Sequence, residues 1–385
     1  MNLVYISPHY PAHYSQFVES LARYGVKVFG ISDLPDEALD PRLRNAMNGH
    51  YKVDRLENVD QVIQGCGFFN DHIGKIDRVE SHLEPWIELE AVLREKFDIT
   101  GPKPAELQFI KRKSKMKDLF TRAKVPCARG ELVKDIEQCR KFIGSKFPAF
   151  IKPDIGVGAA DTYTIKTDAD LQNFFNIKQS YDYFIEDFVE GGLVSFDGLT
   201  DQNGNIVFYT SHIFSNDIHK VVVHDENVWY YNVKEIPADL EKYGRQIVKT
   251  AGVKEKFFHI EFFRKPDKSL FALEINMRPP GGLTTHMFNF SSDIDVYDWW
   301  AAIMGGKDSK RNFTRRYHCA FVGRKHNRPY RYSHDQLYIK WNHKIAHSQP
   351  MNPIEYSVMG HWGYLARSAD LDELMEIIKD ITWEA

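Results

Sequence analysis

The chain has 385 residues, 43% of them hydrophobic, which is enough to build two or three structural units. Fifty basic and fifty-three acidic residues give a net charge of −3, so no global charge attracts nucleic acid or an anionic membrane. The four cysteines lack CxxC spacing, which argues against a zinc site or a disulfide framework. No signal-peptide layout or bilayer-spanning apolar run is seen. We therefore expect a cytoplasmic protein without nucleic-acid or membrane partners.

The N-terminal segment alternates strands and helices. Residues 2–6 and 26–31 are apolar and predict strands, and residues 13–24 between them predict a helix. A strand-helix-strand order of this kind favours a parallel sheet with a right-handed crossover. The loop after the first strand contains no glycine, so it is not a dinucleotide-binding fingerprint.

Two lysines further along the chain are candidates for phosphate binding. Lys113 belongs to a run of four basic residues within 112–117, which taken alone is typical of a solvated helix face. Lys152 ends an apolar strand and precedes a loop of small residues that includes Gly156 and Gly158. Glycines let backbone N–H groups approach phosphate oxygens, and a lysine at a strand end adds positive charge there. The alternative is a glycine-rich hairpin with a structural lysine.

Two apolar runs, 257–263 and 270–275, flank a turn-like Lys-Pro-Asp-Lys and predict a β-hairpin. Alternation with a period of two predicts one common face on each strand, made of His259, Glu261 and Phe263 on the first strand and of Leu270, Ala272, Glu274 and Asn276 on the second. If these faces meet, Glu261, Glu274 and Asn276 form an all-oxygen cluster that suits Mg²⁺, with Mn²⁺ as the other candidate. The alternative is a hairpin whose acids face water.

Taken in order, these segments resemble the ATP-grasp superfamily. Its members carry an acid on one strand and Glu-x-Asn-x-Arg on the next, which is matched by Glu261 and by Glu274 to Arg278. The pattern Lys-x-x-Met-Lys-x-x-Leu-x-x-Ala-x-Val-Pro around Lys113 and the lysine-glycine loop after Lys152 also match. The resemblance covers residues 1–305, in a domain order similar to that of biotin carboxylase and of the large subunit of carbamoyl phosphate synthetase.

The resemblance implies a chain of α/β and α+β class with an ATP-grasp fold. It implies an N-terminal parallel α/β domain before the grasp at 1–104 and an ATP-grasp domain at 105–310, with a mobile lid at about 125–188. Residues 311–385 are expected to form a small C-terminal α/β cap, because 371–381 has an amphipathic helical pattern next to two candidate strands.

The resemblance also implies ligand roles, with ATP and Mg²⁺ as cofactors. The implied nucleotide-binding residues are Lys113, Lys152, Gly156, Gly158, Glu186 near the adenine amino group, and the hinge residues Asp187, Phe188 and Val189. The implied metal ligands are Glu261, Glu274 and Asn276, and the implied catalytic residues are Arg278 and Lys152. The acid that usually binds the ribose is replaced by Leu193, which leaves Glu190 or Asp197 for that role.

The activity that the resemblance implies is ligation of a carboxylate to an amine. A substrate carboxylate attacks the γ-phosphate of ATP, and the amine then displaces phosphate from the acyl phosphate. We expect small-molecule substrates, an amino acid or a small acid, and an assembly compatible with a homodimer. Gly281, Gly282 and His286 are expected to line the acceptor site, with His286 as a general base or as a loop histidine. The alternatives are a carboxylase or carbamoyl-phosphate-type enzyme, and a nucleotide-binding regulator without turnover.

Overall fold

The computed structural model of the protein describes residues 1–156, 161–215, 226–307 and 311–384. Its N-terminal unit is a parallel sheet, as the sequence predicts, and the strand order in this sheet is β3-β2-β1-β4. Its elements are β1 Asn2–Ile6, α1 Ser15–Arg23, β2 Lys27–Ser32, α2 Pro41–Ala46, β3 Gly49–Lys52, α3 Val59–Ile73, β4 Arg78–Glu80 and α4 Ile87–Lys96. Strand β1 is almost entirely buried, because apolar side chains on both of its faces are covered by other elements.

A second, antiparallel sheet follows, in the order β5-β8-β6-β7, and we call it the lid sheet. This part of the chain contains α5 Gln108–Lys111, α6 Lys113–Arg122, β5 Gly130–Leu132, α7 Ile136–Ile143, β6 Ala149–Pro153, β7 Tyr163–Ile165, α8 Asp168–Ile177 and β8 Tyr183–Asp187. Helices α7 and α8 pack on the sheet through their own apolar cluster, which includes Phe142, Ile151 and Phe174. The lid sheet therefore has an apolar core of its own, and its role as a mobile lid stays a prediction.

The third sheet, which we call the large sheet, contains nine strands within the described ranges. Its order is β14-β13-β9-β11-β12-β15-β17-β16, with β10 paired to β9. Its strands are β9 Gly192–Thr200, β10 Ile206–Thr210, β11 His212–Phe214, β12 Trp229–Asn232, β13 Phe257–Arg264, β14 Leu270–Asn276, β15 His318–Arg324, β16 Ile345–Pro350 and β17 Trp362–Ser368. The helices in this part are α9 Ala238–Ala251, α10 Thr284–Ser292, α11 Val296–Met304, α12 His334–Trp341, α13 Tyr356–Met359 and α14 Leu371–Thr382.

The C-terminal strands do not form a sheet of their own. Strand β12 pairs with β15, so that residues on either side of position 310 share the large sheet. The pairing occurs because β12 presents an unpaired edge whose backbone groups need partners. The boundary at 310/311 stays a prediction, and the two segments are continuous through backbone hydrogen bonds.

The N-terminal unit is fixed to the large sheet by apolar and by charged contacts. The Phe17 ring stacks on His82 with 4.0 Å between ring centroids and meets Trp300 of α11 edge-on. Lys256, next to the start of β13, reaches the buried carboxylates of Glu80 and Glu90. No helix in the described ranges has both the length and the apolar character to cross a membrane.

Candidate functional site

A cavity of about 780 Å³ lies between the lid sheet and the large sheet. Its walls are strands β6 and β8 of the lid sheet, the connection 188–191, the β13–β14 hairpin and the segment after the hairpin. The C-terminal residues Ile354, Glu355, Val358 and Met359 line it as well. A concave site between separately built units is a typical place for a small-molecule ligand.

The hairpin brings the predicted oxygen cluster together. Strands β13 and β14 pair antiparallel, and Glu261 lies directly opposite Glu274. The Asn276 amide Nδ2 donates to Glu274 Oε1 at 3.3 Å, and all three side chains line the cavity. Like charges opposite each other on two strands are destabilising unless cations compensate them. The arrangement therefore calls for positive charge at this position.

The predicted strict alternation along the second strand is wrong. Phe262 pairs with Ala272 although the preceding pair includes Glu274, so Leu273 is an extra residue in β14. Leu270 and Ala272 belong to the apolar core, although Ala272 also touches the cavity wall, whereas Glu274 lies opposite Glu261 and lines the cavity. A β-bulge of this kind inverts the alternation at one point, and the hydrophobic pattern does not show where.

Lys113 supplies positive charge to the hairpin side of the cavity. Its Nζ lies 3.3 Å from Glu274 Oε2 and donates to the carbonyl oxygen of Gly156 at 3.2 Å. Both Lys113 and Gly156 line the cavity. The lysine therefore joins the start of the small-residue loop to the acid hairpin. Gly158 lies outside the described residues.

Glu186 is held between two lysines on the lid side. Lys152 Nζ lies 2.6 Å from Glu186 Oε1, and Lys117 Nζ lies 2.8 Å from Glu186 Oε2. All three side chains are buried at the cavity wall. Lys117 was not among the predicted site residues; its spacing of four from Lys113 on one helix was the available signal. Burial alone would raise the pKa of Glu186, but the two lysines outweigh burial and lower this pKa to about 2.

We expect the stability that Glu186 contributes to decrease as the pH is lowered. A carboxylate whose pKa is about 2 when folded and about 4.3 when unfolded stabilises the protein fully above the unfolded value and loses that contribution as pH falls towards 2. The contribution is about 3 kcal/mol. Urea unfolding of the wild type and of Glu186→Gln should show a gap in stability at pH 7 that narrows between pH 5 and pH 3. A gap that does not depend on pH would contradict this assignment.

The predicted hinge lies where the lid sheet meets the large sheet. Residues 188–191 connect β8 to β9, and Phe188 and Val189 line the cavity. Asp187 ends β8, and its carboxylate receives hydrogen bonds from Arg129 Nε at 3.2 Å and Nη2 at 2.9 Å. The paired side chain fixes the end of the strand, while the residues after it carry no strand geometry. Their roles as a hinge and in nucleotide binding stay predictions.

Arg278 follows the hairpin and is tied to the N-terminal unit. Its Nε donates to Glu84 Oε2 at 3.0 Å, and its Nη1 donates to the carbonyl oxygen of Pro279 at 3.0 Å. Burial alone would lower the pKa of Arg278, but Glu84 outweighs it and the pKa is raised. The guanidinium is therefore a fixed positive charge at the cavity wall. The pairing with Glu84 was not predicted, because 194 residues separate the two partners.

A buried network lies behind Glu261. His259 Nδ1 lies 2.5 Å from Asp197 Oδ1, and His212 Nδ1 lies 2.7 Å from Asp197 Oδ2. The Ser195 hydroxyl also donates to Asp197. His259 Nε2 lies 3.2 Å from Glu261 Oε1. Burial alone would lower the pKa of His259, but Asp197 and Glu261 outweigh burial and raise this pKa to about 10. His259 therefore places a positive charge beside the Glu261 carboxylate.

The network leaves one of the two predicted ribose candidates. Both carboxylate oxygens of Asp197 are engaged with histidines inside the sheet, and the side chain is completely buried. Glu190, in contrast, is exposed and lines the cavity at the hinge. Glu190 therefore remains as the predicted ribose ligand.

The predicted acceptor residues divide into two groups. Gly281 and Gly282 line the cavity, and Gly282 adopts a φ of +62° that favours glycine. His286 is not among the residues that line the cavity: its Nδ1 lies 3.2 Å from the Tyr297 hydroxyl oxygen, and its ring packs against His13. Burial lowers the pKa of His286 to about 4. The structure thus favours the interpretation of His286 as a structural histidine.

The oxygen cluster fits a hard divalent cation that binds with substrate oxygens. Two carboxylates and one amide face the cavity from neighbouring strand positions, and Mg²⁺ commonly uses one or two carboxylates together with phosphate oxygens and water. Within the described ranges, no group of three or more His, Cys, Asp or Glu side chains gathers as a complete protein site for a metal. The chemistry therefore suits a cation that arrives with a phosphate ligand. Mn²⁺ prefers the same donors.

A family model matches the part of the chain that contains these residues. The model of the ATP-grasp domain family matches residues 145–287, which contain Lys152, Glu186 and the hairpin. A search of curated proteins finds no match.

Solved structures show the same fold over nearly the whole chain. The L-amino acid ligase from Bacillus licheniformis has a TM-score of 0.74 at 13% identity, over 99% of this chain and 96% of that one. The phosphoribosylglycinamide synthetase from Anaerococcus prevotii has a TM-score of 0.71 at 14% identity, over 99% of this chain and 97% of that one. The N5-carboxyaminoimidazole synthetase from Staphylococcus aureus complexed with ADP has a TM-score of 0.70 at 15% identity, over 97% of this chain and 95% of that one. The fold predicted from the sequence is thereby confirmed.

Proposed function

The chain contains an ATP-grasp domain, and we propose that it is an ATP-dependent ligase that activates a substrate carboxylate as an acyl phosphate for attack by an amine. The observation that carries this proposal is the placement of two charged sets across one cavity. Lys152 and Glu186 lie on the lid side, and Glu261 and Glu274 lie on the hairpin side.

The lysines are the groups that would hold the nucleotide. Lys113 and Lys152 approach the cavity from different elements, so their charges converge on one region. Phosphoryl transfer depends mainly on position and on charge neutralisation, which two fixed ammonium groups supply. Glu186 holds Lys152 and Lys117 in place through its two short ion pairs.

Glu261, Glu274 and Asn276 would hold the divalent cation. When bound, that ion neutralises charge on the β- and γ-phosphate oxygens. His259 orients Glu261 from behind, and Lys113 does the same for Glu274. Support of ligating side chains by a second layer of contacts is typical of metal sites.

Arg278 would stabilise the charge that develops on the activated substrate. A carboxylate oxygen attacks the γ-phosphorus and the bond to the bridging oxygen breaks, which releases ADP. The amine then forms a bond to the acyl carbon, phosphate leaves, and the amine loses a proton. The fixed guanidinium lies next to Gly281 and Gly282, where the substrate would meet the cavity wall.

The substrates we propose are small molecules, with an amino acid or a small carboxylic acid as the activated partner. The likeness to an L-amino acid ligase supports this choice without fixing it, since the identity is 13%. The proposal includes two further roles. Residues 187–189 form the hinge that contacts the nucleotide, and residues from about 125 to 188 form a lid that closes over it.

We expect ADP release from Mg-ATP to depend on a carboxylic acid. The test is a panel of amino acids and small acids with hydroxylamine as a general nucleophile, measured as ADP and hydroxamate, followed by a panel of amines with the acid that responds. ADP and hydroxamate should form in equal amounts and only with the right acid. A Glu376→Gln variant, which changes an exposed carboxylate on α14, should behave as the wild type does.

Other outcomes would identify the alternatives. ADP release that requires bicarbonate, without hydroxamate from any organic acid, would indicate the carboxylase or carbamoyl-phosphate reaction. ATP binding, measured by calorimetry, without ADP release under any condition would indicate a regulator. Either result would overturn the ligase proposal.

A further inference from the structure

Most carboxylates that line the cavity have a cationic partner. Glu84 pairs with Arg278, Glu186 with two lysines, Asp187 with Arg129, Glu261 with His259 and Glu274 with Lys113. Glu190 is exposed at the hinge. Glu355 is different: its side chain is half-buried, its carboxylate lies near the backbone N–H of Asn352, and it has no cationic partner among the residues that the structure describes.

Glu355 lies where the C-terminal segment reaches the cavity. It ends a short helical turn, Pro353–Glu355, and precedes α13. It lines both the large cavity and an adjoining cavity of about 260 Å³, whose wall includes His13 and Gly282. Burial raises the pKa of Glu355, and the backbone N–H of Asn352 offsets this only in part. A half-buried carboxylate in such a place is costly until a cation binds it.

On one side, Glu355 is flanked by apolar side chains. The wall on this side of the cavity is made of Phe214, Val228, Tyr230, Val358 and Met359. Phe214 and Tyr230 stack with 5.2 Å between ring centroids, and the Tyr230 hydroxyl is joined to Thr284 Oγ1 at 2.9 Å. The rings are thereby fixed in position. A ligand at this wall would bury an apolar group there while placing a cation on the carboxylate.

Arg278 provides the other end of the same subsite. Arg278 and Glu355 both line the cavity, and both act electrostatically on the buried Tyr14. A positive charge and a negative charge near one apolar wall match a ligand with a carboxylate, an ammonium group and an apolar substituent. A metal ion is a poor match, because a single carboxylate offers too few oxygen ligands.

Building on the proposed ligase function, we propose that Glu355 binds the ammonium group of an α-amino acid with an apolar side chain, and that this amino acid is the substrate whose carboxylate is activated. An amine that must attack needs a free lone pair, and a carboxylate that holds it as ammonium would oppose the attack. The ammonium group of the activated amino acid takes no part in bond formation and needs a counter-ion. Glu355 therefore serves specificity and leaves the bond-forming steps to the other end of the cavity.

The test compares each amino acid with the same acid lacking its amino group. Leucine is compared with 4-methylpentanoate, and phenylalanine with 3-phenylpropanoate, in the hydroxylamine assay. In Glu355→Gln, the KM for the amino acid should rise by about 10- to 100-fold, as expected for a lost charged hydrogen bond. The KM for ATP and the kinetics with the des-amino acids should change less than threefold. Glu355→Asp should recover part of the loss, and Glu376→Gln is the matched control.

The possible results separate this inference from the ligase proposal. An equal loss for amino acids and des-amino acids in Glu355→Gln would overturn the inference and leave the ligase proposal in place. The inference would also be overturned, with the ligase proposal left in place, if hydroxamate formed only from des-amino acids or only from polar amino acids. If no acid gives ADP and hydroxamate with the wild type, the proposed function itself fails. An unchanged KM for ATP shows that the variant is folded, so a changed KM for the amino acid reports the loss of the Glu355 charge and not a loss of structure.

Discussion

Glu274→Gln is expected to lower kcat for acid-dependent ADP release by about 10²- to 10³-fold, the usual effect of removing one fixed electrostatic group from a reacting centre. The substitution keeps the shape of the side chain and removes its charge. Glu274 contacts Lys113 and Asn276 and lies opposite Glu261, so it links the lysine to the oxygen cluster. Steady-state kinetics at several Mg²⁺ concentrations measure the effect, and the Mg²⁺ needed for half-maximal rate should increase.

The matched control for this prediction is again Glu376→Gln, which makes the same chemical change on an exposed helix face. Circular dichroism and ATP binding establish that Glu274→Gln is folded. A folded Glu274→Gln variant with kcat within threefold of the wild type would show that this carboxylate does not hold the cation.

Lys256→Met is expected to destabilise the protein by about 3–5 kcal/mol, because it leaves two buried carboxylates with one cation fewer. Lys256 pairs with Glu80 and lies 3.3 Å from Glu90 Oε2. Arg94 Nη2, the other cation, lies 2.6 Å from Glu90 Oε2 and 3.4 Å from Glu80 Oε1. The network has two positive and two negative groups and connects the N-terminal unit to the large sheet. Urea unfolding at pH 7 measures the loss.

Lys254→Met is the control for this prediction, since Lys254 is exposed two residues earlier in the chain. It should change the stability by less than about 0.5 kcal/mol, as surface substitutions usually do. Similar effects of Lys254→Met and Lys256→Met would mean that the buried network does not anchor the N-terminal unit. In Lys256→Met, we expect the carboxylates of Glu80 and Glu90 to become harder to ionise, because one compensating cation is lost.

Local pattern was sufficient for the elements that carry their own signal. Lys152 ends an apolar strand, and Glu274 and Asn276 lie two apart beside an arginine, so short windows of sequence identified them. The structure places these side chains at one cavity, as the hairpin pattern and the resemblance implied. The roles of these residues in binding ATP and metal remain to be tested by the variants described above.

Where a local pattern failed, the cause was a local irregularity. Periodicity assumes one residue per position along the strand, and the extra residue Leu273 breaks that assumption in the middle of β14. The predicted set Leu270, Ala272, Glu274 and Asn276 therefore does not share one face. Leu270 and Ala272 pack in the core, whereas Glu274 and Asn276 lie opposite Glu261 and His259 and line the cavity.

The sequence by itself determined the parallel N-terminal sheet, the acid hairpin and the lysine at the strand end, because each depends on residues close together in the chain. The class of the fold followed from the family resemblance that these segments carry together. Only the tertiary structure decided which charges pair. Glu84 meets Arg278 and Lys117 meets Glu186, while Glu355 faces the cavity from the C-terminal segment without a cationic partner in the described ranges. The physical reason is that an ion pair depends on the distance between two charged groups, and the packing of separate sheets sets that distance.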